Sequence, residues 1–254
     1  MGLVQGLTEF LPVSSSAHLV LLPWFFKWQD PGLGYNVALH WGTLIAVVAY
    51  FRKDLVQMTV GGIGFLQGKR EPLNKLPWFI IAATIPGAIL GLLFEEQAET
   101  IFRSPLLIAS TLSVMGIVLY GTDRNGLKIK SIDQTSLKIF LIMGVLQGLA
   151  IVPGISRSGI TISTALFLGF DRNTAVRLSF LLSIPIIAGA GLLKIGYLFN
   201  HLGSPLFLLG IGTAAISGWV AIHFLVTFVR TKSFTPFVVY RLVLAALILA
   251  VSFS

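Results

Sequence analysis

Apolar residues fill this chain in long runs, not in the one-sided stripes of a soluble helix or the alternation of a strand. Six runs, at roughly 36–51, 77–94, 104–121, 178–193, 204–229 and 236–253, come close to the ~20 residues that a helix needs to cross a bilayer. Two further regions, 2–26 and 139–170, are broken midway by Pro and Gly. Each break leaves two half-length apolar pieces. Such pieces cannot span singly, so each region is expected to form a re-entrant hairpin buried among the other helices. The pattern predicts an all-α polytopic membrane protein with about six spanning helices and two broken hairpins. It is expected to form a single integral membrane domain over 1–254.

The two broken regions also resemble each other. The first reads Gly2-Leu-Val-Gln-Gly-Leu-Thr-Glu9-Phe-Leu-Pro-Val-Ser14-Ser15-Ser16-Ala-His18, and the second Gly144-Val-Leu-Gln-Gly-Leu-Ala-Ile-Val-Pro-Gly-Ile-Ser156-Arg157-Ser158-Gly-Ile-Thr161. At an offset of 142 residues, Gln5 matches Gln147, Ser14 matches Ser156 and Ser16 matches Ser158. Three spanning segments follow each copy. The chain therefore divides into halves at about 1–121 and 139–254, joined by a linker at about 122–138.

Charge orients these segments. Only 11% of the 254 residues are charged, against about 25% in a soluble domain. Arg52, Lys53, Lys69, Arg70, Lys75, Arg124, Lys128, Lys130, Lys138, Arg172, Arg177, Arg230 and Lys232 fall in alternate connections, and only Lys27, Arg103 and Lys194 in the others. The side rich in Lys and Arg is expected to be cytoplasmic, with Glu95, Glu96 and Glu99 on the outside. The first hairpin then returns outward and the second inward. The halves have opposite topology, an inverted repeat whose hairpin tips meet near the centre of the protein. The same asymmetry explains the net charge of +8 without nucleic-acid binding. The absence of cysteine excludes disulfides, thiolate metal sites and cysteine nucleophiles. No charged start precedes the first apolar stretch, so no cleavable signal is expected.

The polar residues inside the broken regions suggest chemistry. Gln5 and Glu9 share a helix face, and Pro12 should end that piece near Leu11. Ser14, Ser15 and Ser16 then sit where a second piece begins. Serine caps helices well, and the N-terminus it caps attracts anions. His18 lies one turn further on. Ser14 could be no more than a cap, and His18 no more than a hydrogen-bonded interior histidine. Glu9 needs a cation at this depth, which Arg157, a metal or both could supply. In the second region Arg157 offers a planar fork to phosphate or carboxylate, flanked by Ser156, Ser158 and Thr161. An acid able to hold a metal, hydroxyls, a histidine and an arginine suit phosphoryl transfer. An inverted repeat with broken helices equally suits a secondary transporter or a lipid flippase, and the residues alone leave that open.

The run from Gln5 to His18 resembles the first signature of bacterial undecaprenyl pyrophosphate phosphatases of the bacitracin-resistance type, and Pro153-Gly-Ile-Ser-Arg157-Ser-Gly-Ile-Thr161 resembles their second. Ala38–Thr43, Tyr50–Asp54 and Arg177–Pro185 are similar to that family too. The resemblance implies an integral membrane hydrolase of the bacterial inner membrane, opening to the outer face. It would convert undecaprenyl diphosphate to undecaprenyl phosphate and inorganic phosphate, serving peptidoglycan synthesis and bacitracin resistance. It implies Mg²⁺ or Ca²⁺ held by Glu9 with Gln5, Ser15 as nucleophile with His18 or Glu9 as proton acceptor, and Arg157 on phosphate; a metal-activated water with Ser15 only positioning the substrate is the open variant. Ser14, Ser16, Ser156, Ser158 and Thr161 would complete the phosphate site, and a homodimer is implied. Only four residues precede Gln5, fewer than is usual in the family, so a short first half-helix is expected.

Overall fold

The computed structural model describes residues 1–69 and 71–253; Arg70, one of the orienting basic residues, lies outside them. In chain order the α-helices are α1 (Gly2–Phe10), α2 (Ser15–Phe26), α3 (Gly32–Tyr50), α4 (Arg52–Leu66), α5 (Leu76–Leu93), α6 (Glu95–Glu99), α7 (Pro105–Asn125), α8 (Leu137–Gly148), α9 (Arg157–Phe167), α10 (Arg172–Leu193), α11 (Ile195–His201), α12 (Pro205–Phe228) and α13 (Thr235–Ser252). Six of them, α3, α5, α7, α10, α12 and α13, are long and apolar enough to cross a membrane, as the runs of the sequence predict. The protein is a multi-pass membrane protein. Its surface is the reverse of a soluble one. Val114, Ile117, Ile216 and Val243 face outward, while Gln5, Glu9, Gln147, Ser158 and Arg241 are buried.

The two broken regions form the expected helical hairpins. At 1.5 Å per residue, α1, α2, α8 and α9 each reach roughly halfway through the ~30 Å hydrocarbon core. α1 stops because Leu11, ahead of Pro12, is extended (φ −68°, ψ 143°). α8 runs through a turn of 3₁₀ helix (Leu149–Ile151) into Pro153 and Gly154. At both breaks the chain re-enters helix through a serine with positive φ, Ser14 at 75° and Ser156 at 70°. That backbone region is sparsely used by residues other than glycine, and the same strain recurs at equivalent places in the two halves.

Pairing between the halves is crossed. α1 lies along α12 of the second half, and α8 lies along α5 of the first. The equivalent glycines Gly2 and Gly144 permit this, because a Cβ at either would overlap a backbone carbonyl, of Gly210 or of Ala83. Small residues of this kind let helix backbones approach closely in membranes. Phe10 of α1 packs edge-on against Phe180 of α10, ring centroids 5.2 Å apart.

Two features depart from the sequence reading. α7 runs on to Asn125 and α8 starts at Leu137, so the linker is shorter than 122–138. Asp123 ends up buried among Arg172 (2.6 Å), Lys128 (3.6 Å) and the backbone N–H of Phe234 (2.9 Å). α4 is an unpredicted fifteen-residue helix. It exposes Val56, Val60 and Ile63 and is too short to span.

The hairpin tips are held by a residue that the apolar pattern hides. Arg241, in the middle of α13, is fully buried. Its Nε donates to the carbonyl of Leu112 (3.1 Å), its Nη1 to that of Pro12 (3.0 Å), and its Nη2 to those of Gly154 and Ile155 (3.3 Å for the latter). One guanidinium thereby satisfies carbonyls from both tips, which the bilayer cannot. Arg241→Leu, measured by thermal unfolding in detergent, should lose at least about 2 kcal/mol, because several buried acceptors are orphaned together. Arg241→Lys should recover only part of it, since an ammonium cannot reproduce the planar fork. An unchanged unfolding temperature for Arg241→Leu would show that the tips do not depend on it.

Candidate active site

The tips meet. Ser14 caps α2, its Oγ accepting from the N–H of Ala17 (3.4 Å), and accepts a second bond from the N–H of Gly154 (3.0 Å). Ser156 caps α9 in the same way through Gly159 (3.1 Å). Ser158 donates across to the carbonyl of Leu11 (3.0 Å), and Thr161 bonds the carbonyl of Arg157 (2.8 Å) and the hydroxyl of Ser179 (2.7 Å). Ser14, Ser158 and Thr161 thus build the junction. Two helix N-termini, each with first-turn N–H groups that have no partner within their helix, are left side by side.

Glu9 sits beside this junction with its carboxylate almost fully covered. Oε1 receives Arg157 Nη2 at 3.0 Å. Oε2 receives Ser15 Oγ at 2.5 Å and Gln5 Nε2 at 2.9 Å, with His40 Nε2 at 3.3 Å. The Glu9–Arg157 pair read from the sequence is therefore formed, and Ser15 and Gln5 join it.

His40 of α3 is the member that sequence reasoning missed. Its Nδ1 contacts the carbonyl of Asn36 at 2.8 Å. A carbonyl only accepts, so Nδ1 carries a proton. The approach of Nε2 to a carboxylate is attractive only if Nε2 carries one as well. Glu9 thus lies between Arg157 and His40. A signal existed, a histidine inside a spanning segment, but no spacing connected it to Glu9.

His18 takes the other course. Its Nδ1 donates to the carbonyl of Ser14 (2.7 Å), and its Nε2 accepts from the hydroxyl of Tyr240 (2.5 Å), whose ring stacks on it at 5.6 Å. Both nitrogens are used, and His18 is absent from the lining of the cavity beside Glu9. In this structure His18 is an interior, hydrogen-bonded histidine.

That cavity measures about 640 Å³, and Glu9, Ser15, Ser16, His40, Gln147, Ser156 and Arg157 line its polar end. Its walls are mostly apolar, with Val20, Val37, Ile187 and Leu193 among them, and it extends to Glu95, Arg103 and Lys194. Lys194 pairs there with Glu95 (2.6 Å) and Glu99 (3.4 Å). The hydrogen bond to Glu95, outweighing partial burial, pushes the Lys194 ammonium above its usual value. Arg103 pairs with Asp30. Glu9, Arg157 and His40 gather at the polar end of a mostly apolar enclosure. An anionic headgroup with an apolar tail complements both parts.

Gln5 and Glu9 fit a divalent cation only in one manner. No group of three or more His, Cys, Asp and Glu suited to a metal occurs among the described residues, so the protein alone builds no cage. Gln5 Oε1, however, is buried without a partner beside Glu9. One carboxylate and one free amide oxygen suit an ion that takes its remaining ligands from substrate phosphates, the habit of Mg²⁺.

Removing His40 tests the arrangement. His40→Leu should lower kcat/KM for phosphate release about tenfold or more, the loss of one charge-assisted contact. An unchanged value in a steady-state assay would remove His40 from the site.

A family model described as bacitracin resistance protein BacA matches residues 1–247. The chain is 55% identical over 251 residues to a protein of Moorella thermoacetica named undecaprenyl-diphosphatase, covering 99% of this chain and 95% of the relative. It is 48% identical to one of the same name from Geobacter metallireducens (100% and 97% covered). It is 46% identical to another from Pelotomaculum thermopropionicum (98% and 94% covered).

Proposed function

The chain belongs to the bacitracin resistance protein BacA family, and on that footing we propose that it is an undecaprenyl-diphosphatase of the bacterial plasma membrane. It hydrolyses undecaprenyl diphosphate to undecaprenyl phosphate and inorganic phosphate. This returns the lipid carrier to cell-wall synthesis and underlies bacitracin resistance. The observation that carries the reading is the carboxylate of Glu9 held between Ser15 and Arg157 at the polar end of an apolar cavity.

The headgroup binds where the N-termini of α2 and α9 converge, and the first isoprene units occupy the apolar walls. Arg157 turns its fork to the terminal phosphoryl group, with Ser16 and Ser156 beside it. Ser15 Oγ attacks the terminal phosphorus while Glu9 Oε2 takes its proton. The bond from phosphorus to the bridging oxygen breaks, and the lipid monophosphate leaves with the electron pair. Water then attacks the phosphoserine. Glu9 returns its proton to Ser15 Oγ, the proton lost by water stays on the phosphate, and the enzyme is restored. His40 and Gln5 hold the carboxylate in place throughout. Glu9 and Gln5 Oε1 would hold Mg²⁺, which supplies charge neutralisation on the phosphoryl oxygens.

The cavity is proposed to open at the outer face. Its far end reaches Glu95, Arg103 and Lys194, on the side opposite the basic connections, which are retained in the cytoplasm.

Purified protein in detergent, where no gradient exists to drive transport, should release phosphate from undecaprenyl diphosphate with Mg²⁺ and stop on chelation. Glu9→Gln and Arg157→Ala should each lose about 10²-fold or more. Acid quenching should trap phosphoserine at Ser15, and Ser15→Ala should abolish it. Binding of the lipid diphosphate without phosphate release would favour a transporter; near-normal turnover by Ser15→Ala would rule out the covalent route.

A further inference from the structure

The inverted repeat gives Gln5 and Gln147 the same place in their halves, yet their surroundings differ. Gln5 donates to Glu9. At the repeat offset, the residue equivalent to Glu9 is Ile151, an apolar side chain on the same cavity wall. Gln147 therefore has no carboxylate to bond. It is 3% exposed, it lines the same cavity as Glu9 and Arg157, and neither its Nε2 nor its Oε1 has a partner. Buried amides are ordinarily satisfied on both atoms, and an unsatisfied one calls for an explanation. Arg157 Nη1, in the same cavity, is also without a partner. Room for the amide comes from α5: a Cβ at Gly87 would stand 3.3 Å from Gln147 Nε2.

We propose that Gln147 binds the phosphoryl group that stays on the lipid, donating from its amide to a non-bridging oxygen while Glu9, Ser15 and Arg157 engage the group that is transferred. This rests on the phosphatase reading above and adds to it a division of the headgroup between the two halves. The first half supplies the nucleophile and its base. The second supplies, besides Arg157, a neutral donor for the other phosphate. A neutral amide suits that role because it can hold the monophosphate product without the charge attraction that would keep it bound.

The two products separate the two subsites. In the full-length protein in detergent, farnesyl monophosphate reports on the retained phosphoryl group and inorganic phosphate on the transferred one. Gln147→Leu should raise the inhibition constant of farnesyl monophosphate about tenfold, leave that of inorganic phosphate within about twofold, and lower kcat/KM for the diphosphate about tenfold. Gly87→Ala, which keeps Gln147 but crowds its amide, should shift the same constant selectively and by less. It decides the question if Gln147→Leu fails to fold. Equal shifts for both products, or none, would overturn the proposal. If wild-type protein released no phosphate, the phosphatase reading would fail instead. Stabilisation of wild-type and Gln147→Leu protein by farnesyl monophosphate against heat would then decide whether Gln147 binds the headgroup.

Discussion

Breaking a helix inside a bilayer frees backbone carbonyls that no water can satisfy, and this protein does so twice at the same depth. Arg241 answers that constraint. Its guanidinium donates to the carbonyls of Pro12, Gly154, Ile155 and Leu112, so the two tips share one cation. Around it, Ser14 and Ser158 reach from each tip to the backbone of the other. The geometry of Glu9, Ser15 and Arg157 follows from that junction. A shift of either tip would separate a carboxylate and a hydroxyl that stand 2.5 Å apart.

Charge is apportioned in the same economical way. Arg241 meets only neutral carbonyls and lies behind the tips, whereas Arg157 and His40 meet Glu9 in front of them. The front group gathers a carboxylate, a guanidinium and an imidazole in a cavity whose walls are mostly apolar. An isolated charge there is costly. The hydroxyls at the junction are largely engaged with backbone and with one another, which leaves Ser15 as the hydroxyl joined to the carboxylate.

Local pattern carries much of this design. The prolines at 12 and 153, the serine triplet and the paired polar runs announce two hairpins and their caps, because each is written in consecutive residues, and the repeat that pairs the two runs brings Glu9 and Arg157, 148 positions apart, to one place. His40 and Arg241 are written in different terms. Each is a single polar residue in an otherwise apolar span, and its partners lie 31 and 229 positions away, at Glu9 and Pro12. Such distances arise only when helices pack. His18 shows the converse. Its closeness to Ser15 in sequence suggests the reacting hydroxyl, but α13 brings Tyr240 to the ring and the capping residue's carbonyl takes the other nitrogen.

The crossed seating of α1 on α12 and of α8 on α5 bears on how the molecule comes into being. Each opening helix has its main packing surface in the other half, although α1 also touches α2 and α3, and α8 also touches α9. On the ribosome, α1 must therefore wait for its main packing partner until α12 is made, and the clamp carried by α13 arrives last. A nascent chain would hold an acid, an arginine and strained serines in lipid with nothing yet joining them. Competence for chemistry is thus withheld until biosynthesis has delivered the last described helix, and a chain cut short of it would be an inert, poorly sealed intermediate open to quality-control proteolysis.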